Sequence, residues 1–353
     1  MNPEELFEFE ECENGYILKE YLLKKDSSVT EAEIPSEYEG KPLIGIGGDA
    51  FLLSRHLRSV KIGEGVREIG YNAFMSCREL RSVILPRSLK RIYLSAFNNC
   101  RKMKDIVFPD GLEFIDNHVF MGCKALRSVE LPPSLTELGK SVFSDCEGLR
   151  SVVIPPKIKV IRYNAFGNCE KLENIEFPKG LEEIERYAFY NCGLRLVKLP
   201  SKLKKMGGGA FHHCMELERV EFGKGSPWMA PNVFEHCPKL SAKNVIQALA
   251  RSTDIKKPFP RDTRFEWDLV LREDIFALAL KCNSFALYDK GVVLKEIVKR
   301  NLIDFLSMAE NAGWEISEKC MAELLDISVN KGFAEATAWL LDYKNRKIGF
   351  GKA

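Results

Sequence analysis

Ala73-Phe74-Met75-Ser76-Cys77-Arg78-Glu79-Leu80-Arg81-Ser82-Val83-Ile84-Leu85-Pro86-Arg87-Ser88-Leu89-Lys90-Arg91-Ile92 decides how this chain folds. Its skeleton, A-F-x-x-C-x-x-L-x-x-V-x-I-P-x-x-L-x-x-I, returns along most of the sequence. Phe51, Phe74, Phe97, Phe120, Phe143, Phe166, Phe189, Phe211 and Phe234 lie 23 residues apart, with one interval of 22. The deletion falls between Cys192 and Leu194. Three residues after each Phe stand Cys77, Cys100, Cys123, Cys146, Cys169, Cys192, Cys214 and Cys237, with Ser54 in the first unit. The residue before each Phe is Ala or Val.

A 23-residue unit cannot bury its own apolar side chains, but stacked units can. The L-x-x-V-x-I segment alternates as a strand does, and Pro ends it by removing a ladder donor. Parallel strands about 4.8 Å apart would carry nine coils over roughly 40 Å. Phe and Leu are expected to fill the coil interior.

The rest of the composition narrows the classes. The chain has 353 residues, 52 basic and 50 acidic, a net charge of +2. Near-neutrality gives no support for general nucleic-acid or membrane-surface binding. No apolar run approaches the length of a transmembrane helix. The opening MNPEELFEFEE is acidic and lacks a signal-peptide pattern. With free thiols, this gives a cytoplasmic expectation; a chain trimmed of its leader would fit a secreted or cell-surface location.

Eight of the eleven Cys belong to the repeat column, which is read as a ladder of small buried hydrophobes. Structural disulfides between coils and metal binding by several thiolates remain alternatives. In-register stacking suits disulfide torsion poorly, and apolar neighbours make thiolates costly.

These residues resemble the BspA-like type of leucine-rich repeat, over roughly residues 47–240. Residues 7–48, with Ile34, Pro35, Gly40, Lys41 and Pro42, are similar to the opening segment of such proteins. The resemblance implies an α+β chain: a solenoid of short parallel strands whose strand side forms a concave binding surface. It also implies a non-catalytic protein-interaction scaffold. Relatives of this type are often bacterial surface or secreted proteins implicated in adhesion.

The binding residues are then expected at the x positions of L-x-x-V-x-I. The first column reads Arg58, Arg81, Lys104, Arg127, Arg150, Glu173, Arg195 and Glu218, with five cations in a row. Like charges one coil apart repel, so this ladder is solvated, paired or meets an anionic partner. The column between V and I contains Ile84, Val107 and Val153 among Lys61, Glu130 and Glu176. An apolar centre with a charged rim is how interaction surfaces are built. The expected partner is therefore a protein, with an acidic surface. Tyr71, Tyr163 and Tyr187 could form a second aromatic patch in the loops.

Motifs that suggest chemistry are weak. Gly45-Ile46-Gly47-Gly48-Asp49-Ala50 matches a dinucleotide fingerprint, but sits in repeat register rather than between a strand and a helix. His212-His213-Cys214 and His236-Cys237 invite a zinc reading, with His213 and His236 one coil apart. Register turns Cys214 and Cys237 inward, and a closed site needs four ligands, so no metal and no cofactor are expected. His56 and His118 show no nucleophile–base arrangement.

Four segments follow. Residues 1–46 form a capping segment, 47–240 the nine-coil solenoid, 241–263 a capping helix and linker, and 264–353 a helical domain. Val245, Ile246 and Leu249 suggest the capping helix. Ile275, Ala277, Leu278 and Leu280 suggest the first of about five further helices. Asp289 and Ser317 are expected N-caps. Val298 to Leu302 and Val329 to Phe333 are similar, 31 residues apart, and each precedes another apolar stretch. This weakly resembles degenerate ankyrin helix pairs, without the T-P-L-H motif. An enzymatic reading would use Asp268, Glu273, Asp274, Glu310 or Glu315, but none shows a catalytic spacing. A glycan-adhesion reading would need aromatic faces, which the strand columns almost lack.

Overall fold

The stacked phenylalanine rings set the pitch of the molecule. The structure is a computed structural model and describes residues 3–23, 28–223, 227–230, 233–240, 290–311 and 313–348. Rings of Phe74 and Phe97 lie 5.1 Å apart and nearly parallel, and the spacing from Phe97 to Phe120 is 5.5 Å. The stack runs from Phe51 to Phe234 without a break. Tyr21 extends it by one ring, 4.9 Å from Phe51. The N-terminal segment therefore closes the stack and lies in one compact unit with the coils, residues Met1–Leu240.

The expected strand appears along the L-x-x-V-x-I segment. Ser59–Ile62 pairs in parallel with Ser82–Ile84, and Ser128–Glu130, Ser151–Val153 and Asn174–Glu176 pair in turn. Leu196–Leu199 pairs with Arg219–Phe222. The strand is missing from the third coil, where residues 104–108 have no regular structure. Backbone contact persists there: Lys104 N–H reaches the Arg81 carbonyl at 3.4 Å, and Arg127 N–H reaches that of Lys104 at 3.2 Å.

Each coil also carries a second, two-residue strand that the repeat pattern did not announce. Glu68–Ile69, Arg91–Ile92, Phe114–Ile115 and Glu137–Leu138 form one parallel run. Val160–Ile161, Glu183–Ile184, Lys205–Met206 and Trp228–Met229 form another. The turn after each Pro makes this second strand. Leu89 N–H donates to the Pro86 carbonyl, and Lys90 N–H then reaches the Arg67 carbonyl one coil back. The antiparallel hairpin Phe7–Cys12 and Gly15–Tyr21, followed by Lys41–Ile46, starts this sheet. Gly45 and Ile46 end that strand, and a turn follows rather than a helix. The dinucleotide pattern is thus part of a coil.

The coil corners need left-handed backbone. The residue before each column cysteine has positive φ: Ser76, Asn99, Gly122, Asp145, Asn168, Asn191, His213 and His236. Asn, Asp, Ser, His and Gly are the residues that tolerate it. The side chains of this column bond from coil to coil. Asn168 donates to Asp145 Oδ1 at 2.8 Å, and Asn191 to Asn168 Oδ1 at 3.2 Å.

The cysteine column is buried and reduced. All ten described cysteines are free thiols. Each column Sγ donates to the carbonyl of the preceding coil's phenylalanine, as Cys100 does to Phe74 and Cys146 to Phe120, both at 3.2 Å. The thiol therefore satisfies a second lone pair on a buried carbonyl, which alanine could not. Burial pushes the Cys123 thiol up to about 12. An aromatic disulfide reagent at pH 8 is expected to label Cys12 and Cys320 in the native protein, since both are partly exposed. The eight column thiols should label only after denaturation. Fast native labelling of more than these two among the described thiols would refute the packing.

The second unit spans residues 241–353. Its described helices are α1 (Lys290–Lys299), α2 (Ile303–Asn311), α3 (Glu318–Asn330) and α4 (Ala334–Tyr343). They form two helix–turn–helix units offset by 31 residues, with Asn301 and Gly332 at positive φ in the matching turns. Ser317 caps α3, accepting from Cys320 N–H at 3.3 Å. Leu294, Ile297, Leu306, Met321, Leu324 and Leu340 share its core. Trp314 is 7% exposed and Met321 1%, so both are packing residues. The expected capping helix at Val245, Ile246 and Leu249, the apolar set Ile275 to Leu280, the linker, and the Asp289 cap lie outside the described residues.

Candidate functional site

The V and final I positions of L-x-x-V-x-I point inward, so the x positions on either side of V face solvent. Val60, Val83, Val129 and Val152 are at most 6% exposed. Between them, Arg58, Arg81, Lys104, Arg127, Arg150 and Arg195 are all exposed. Ile84, Val107 and Val153 are 60%, 82% and 51% exposed. All nine residues expected to bind are exposed; the six cations stand just before the strand positions, and Ile84 and Val153 lie within strands.

The backbone ladder holds the cations in file. Arg81 N–H donates to the Arg58 carbonyl at 2.8 Å, and Arg150 N–H to the Arg127 carbonyl at 2.8 Å. Among the described residues, no ion pair joins any of the five consecutive cations to a carboxylate. Elsewhere in the coils charges are matched one coil apart. Lys102 meets Glu79 at 2.8 Å, Lys124 meets Glu147 at 2.5 Å and Lys239 meets Glu216 at 2.6 Å. The second sheet pairs Lys204 with Glu182 and Lys205 with Glu183, both at 2.6 Å. The Lys102 ammonium, bonded to Glu79, holds that carboxyl below its usual range, and Arg81 and Arg58 add to the effect.

The register refines the apolar centre. Glu130 pairs with Val153, so it stands between Val107 and Val153 in the column. The three aliphatic residues are therefore not one continuous patch. Ile84 and Val107 follow one another, and Lys61 pairs with Ile84 on the N-terminal side. An open groove of about 640 Å³, lined by Leu6, Phe7, Ile34, Lys61, Ile84 and Pro86, adjoins that end of the face.

The loop tyrosines separate into two places. Tyr71 lies over Gly48, whose Cβ, if present, would fall 2.3 Å from the ring. Tyr163 and Tyr187 meet edge to face at 6.2 Å, and Tyr187 meets Tyr190 at 6.0 Å. Tyr190 then stacks on His212 at 5.6 Å. This ribbon ends in His212, His213 and His236, which sequence spacing reduced to a pair. Tyr190 and His212 occupy the position after the repeat Phe, and His213 and His236 the next one. Two adjacent columns thus converge, which no single column could reveal. Burial pushes His212 below its ordinary value, and Glu235 opposes the shift. Cys214 and Cys237 are buried, as register required.

In the helical unit Glu310 is bound by Arg346, at 2.8 and 3.2 Å, and Asp342 holds the same guanidinium at 2.7 Å. Glu310 is therefore a structural partner. Asp268, Glu273 and Asp274 lie outside the described residues.

Among the described residues, no helix is long and apolar enough to cross a membrane. No curated protein matches the chain. The solved T. pallidum leucine-rich repeat protein is similar at 29% identity, over 61% of this chain and 90% of that one, with a TM-score of 0.51. A leucine-rich repeat protein from Bacteroides ovatus is similar at 26% identity, over 66% and 68%, with a TM-score of 0.50. A family model for the BspA type leucine rich repeat region matches in six copies, over residues 17–150 and 142–252. With its stacked 23-residue coils and one buried Phe per turn, the chain belongs to the BspA-type leucine-rich repeat family.

Proposed function

We propose that this protein is a non-catalytic interaction scaffold whose L-x-x-V-x-I strand face binds a carboxylate-rich protein segment. The supporting observation is the file Arg58, Arg81, Lys104, Arg127 and Arg150, exposed, in register and, among the described residues, in ion pairs with no carboxylate, while neighbouring charge columns are paired. Such a file costs self-repulsion when free and gains it back against an anion. Ile84 and Val107 would take an apolar side chain within the charged rim. The family is one of repeat proteins with protein-binding or surface-associated roles, which agrees with this reading. A glycan reading has less support, since the exposed tyrosines lie on the loops rather than the strand face.

A labelled twelve-residue peptide of alternating Glu and Leu serves as the probe, read by fluorescence anisotropy. The triple variant Arg81→Glu, Arg127→Glu, Arg150→Glu is expected to weaken binding about a hundredfold, at roughly 1 kcal/mol per reversed contact. Its melting temperature should not fall, because the three side chains are exposed. Wild-type affinity should decline as salt rises. Equal binding by the triple variant, or equal binding of a Lys/Leu peptide, would sink the proposal.

A further inference from the structure

Three imidazoles converge at the last two described coils. His213 and His236 occupy the left-handed column one coil apart, with φ of 60° and 56°. Their rings stack at 4.7 Å. His212 comes from the adjacent column and lies 4.6 Å from the ring of His213 and 5.1 Å from that of His236. One ligand nitrogen from each ring lies within 4.8 Å of the other two. Glu235 fills the position equivalent to His212 one coil on. Its carboxylate oxygens reach His212 Nδ1 at 3.1 Å and His236 Nε2 at 4.0 Å. His212 Nδ1 is buried, and no hydrogen bond of good geometry satisfies it.

We propose that His212, His213 and His236, with Glu235, form a binding site for a zinc-class divalent transition metal. Three imidazoles and one carboxylate make a donor set suited to Zn²⁺. Metal–nitrogen bonds of about 2.0–2.1 Å would bring tetrahedral ligands about 3.4 Å apart. Small rotations of three side chains suffice, because the nitrogens already lie within 4.8 Å. The ligands come from two consecutive coils, those of Phe211 and Phe234, so the ion would clip them together. The clip falls where the repeat is weakest. Gly223 replaces the strand-ending Pro of the six preceding coils. Column thiols take no part, since Cys214 and Cys237 donate to the Phe189 and Phe211 carbonyls inside the coil.

The site is tested with ZnCl₂ and CoCl₂ on the full chain, stripped with chelator and kept reduced. Calorimetry should show one zinc per chain. His213→Asn and His236→Asn should each weaken it about ten- to a hundredfold, as loss of a site-shaping residue does. Asn already fills this left-handed column at Asn168 and Asn191, so both variants keep the backbone geometry. His56→Asn should leave binding unchanged. A wild-type measurement stands beside the variants: cobalt bound to this site should show nitrogen and oxygen neighbours only in X-ray absorption, with no thiolate charge-transfer band. Undiminished zinc binding by the His213→Asn, His236→Asn double variant overturns the proposal. So do sulfur neighbours around cobalt, or no binding at 100-micromolar metal (on the order of ordinary weak-site affinity).

Discussion

Raising the pH from 9 to 10 is expected to destabilise the solenoid, by about 1 kcal/mol through Cys123 alone, with five further buried thiols acting in the same direction. Burial raises the thiols of Cys100, Cys123, Cys146, Cys169, Cys192 and Cys214 above the ordinary value of 9.0, Cys123 to about 12. The sign follows from proton counts. Above pH 9 the unfolded chain loses these protons while the folded chain keeps them, so the folded state binds more protons and stability falls as pH rises. The contribution is present in full below about pH 9 and is lost progressively towards pH 12. Urea midpoints at pH 7, 9 and 10 check this directly. The double variant Cys123→Ala, Cys146→Ala removes two of the six titrating groups. Its alkaline loss should be smaller than that of the unsubstituted protein, even though each substitution lowers stability at pH 7. An unchanged midpoint from pH 9 to 10 would show that the thiols are not dry.

Phe120→Ala should cost about 3–5 kcal/mol, the usual range for an aromatic cavity in a packed core. Phe120 has no exposed surface. Its ring lies 5.5 Å from Phe97 and 5.4 Å from Phe143, and the Phe108 ring meets it edge-on at 5.6 Å. Its carbonyl accepts the Cys146 thiol at 3.2 Å and its N–H donates to Val142 O at 2.9 Å. Truncation therefore empties a space whose walls are fixed by two backbone ladders and cannot collapse. Because each coil touches only its neighbours, the defect also uncouples the coils on either side. Calorimetry should show a lower melting temperature and a broadened or split transition. Phe120→Leu, which keeps most of the volume, should cost well under half as much. Ile84→Ala, on the exposed strand face, should change stability by less than about 0.5 kcal/mol. A Phe120→Ala loss no larger than that of Ile84→Ala would contradict the stacked-ring account.

Much of this architecture was legible in the residues. The 23-residue period fixed which side chains recur one coil apart, and recurrence alone separates the buried Phe, Leu and Cys columns from the exposed ones. Ile84 and Val153 were recoverable for the same reason: a period-two strand with one buried face leaves the neighbours of its buried Val outside, whereas the cations stand just before the strands, two residues ahead of that Val. The helix pairs were visible through the similarity of Val298–Leu302 and Val329–Phe333, because their turns need Asn301 and Gly332 at positive φ.

Period says nothing about how neighbouring columns lie sideways to one another. That depends on where the backbone bends at each corner. Only the folded coil shows the second strand after each Pro, the Phe carbonyls that accept the thiols, and ion pairs between coils such as Lys102 with Glu79 and Lys205 with Glu183. The same lateral geometry brings His212 to His213 and His236. The sequence by itself determined the inside and outside of the solenoid, because burial follows the repeat. The tertiary structure decided which outward groups of different columns meet, such as Tyr163 with Tyr187 and His212 with His236, because those distances are set by the coil corners rather than by spacing along the chain.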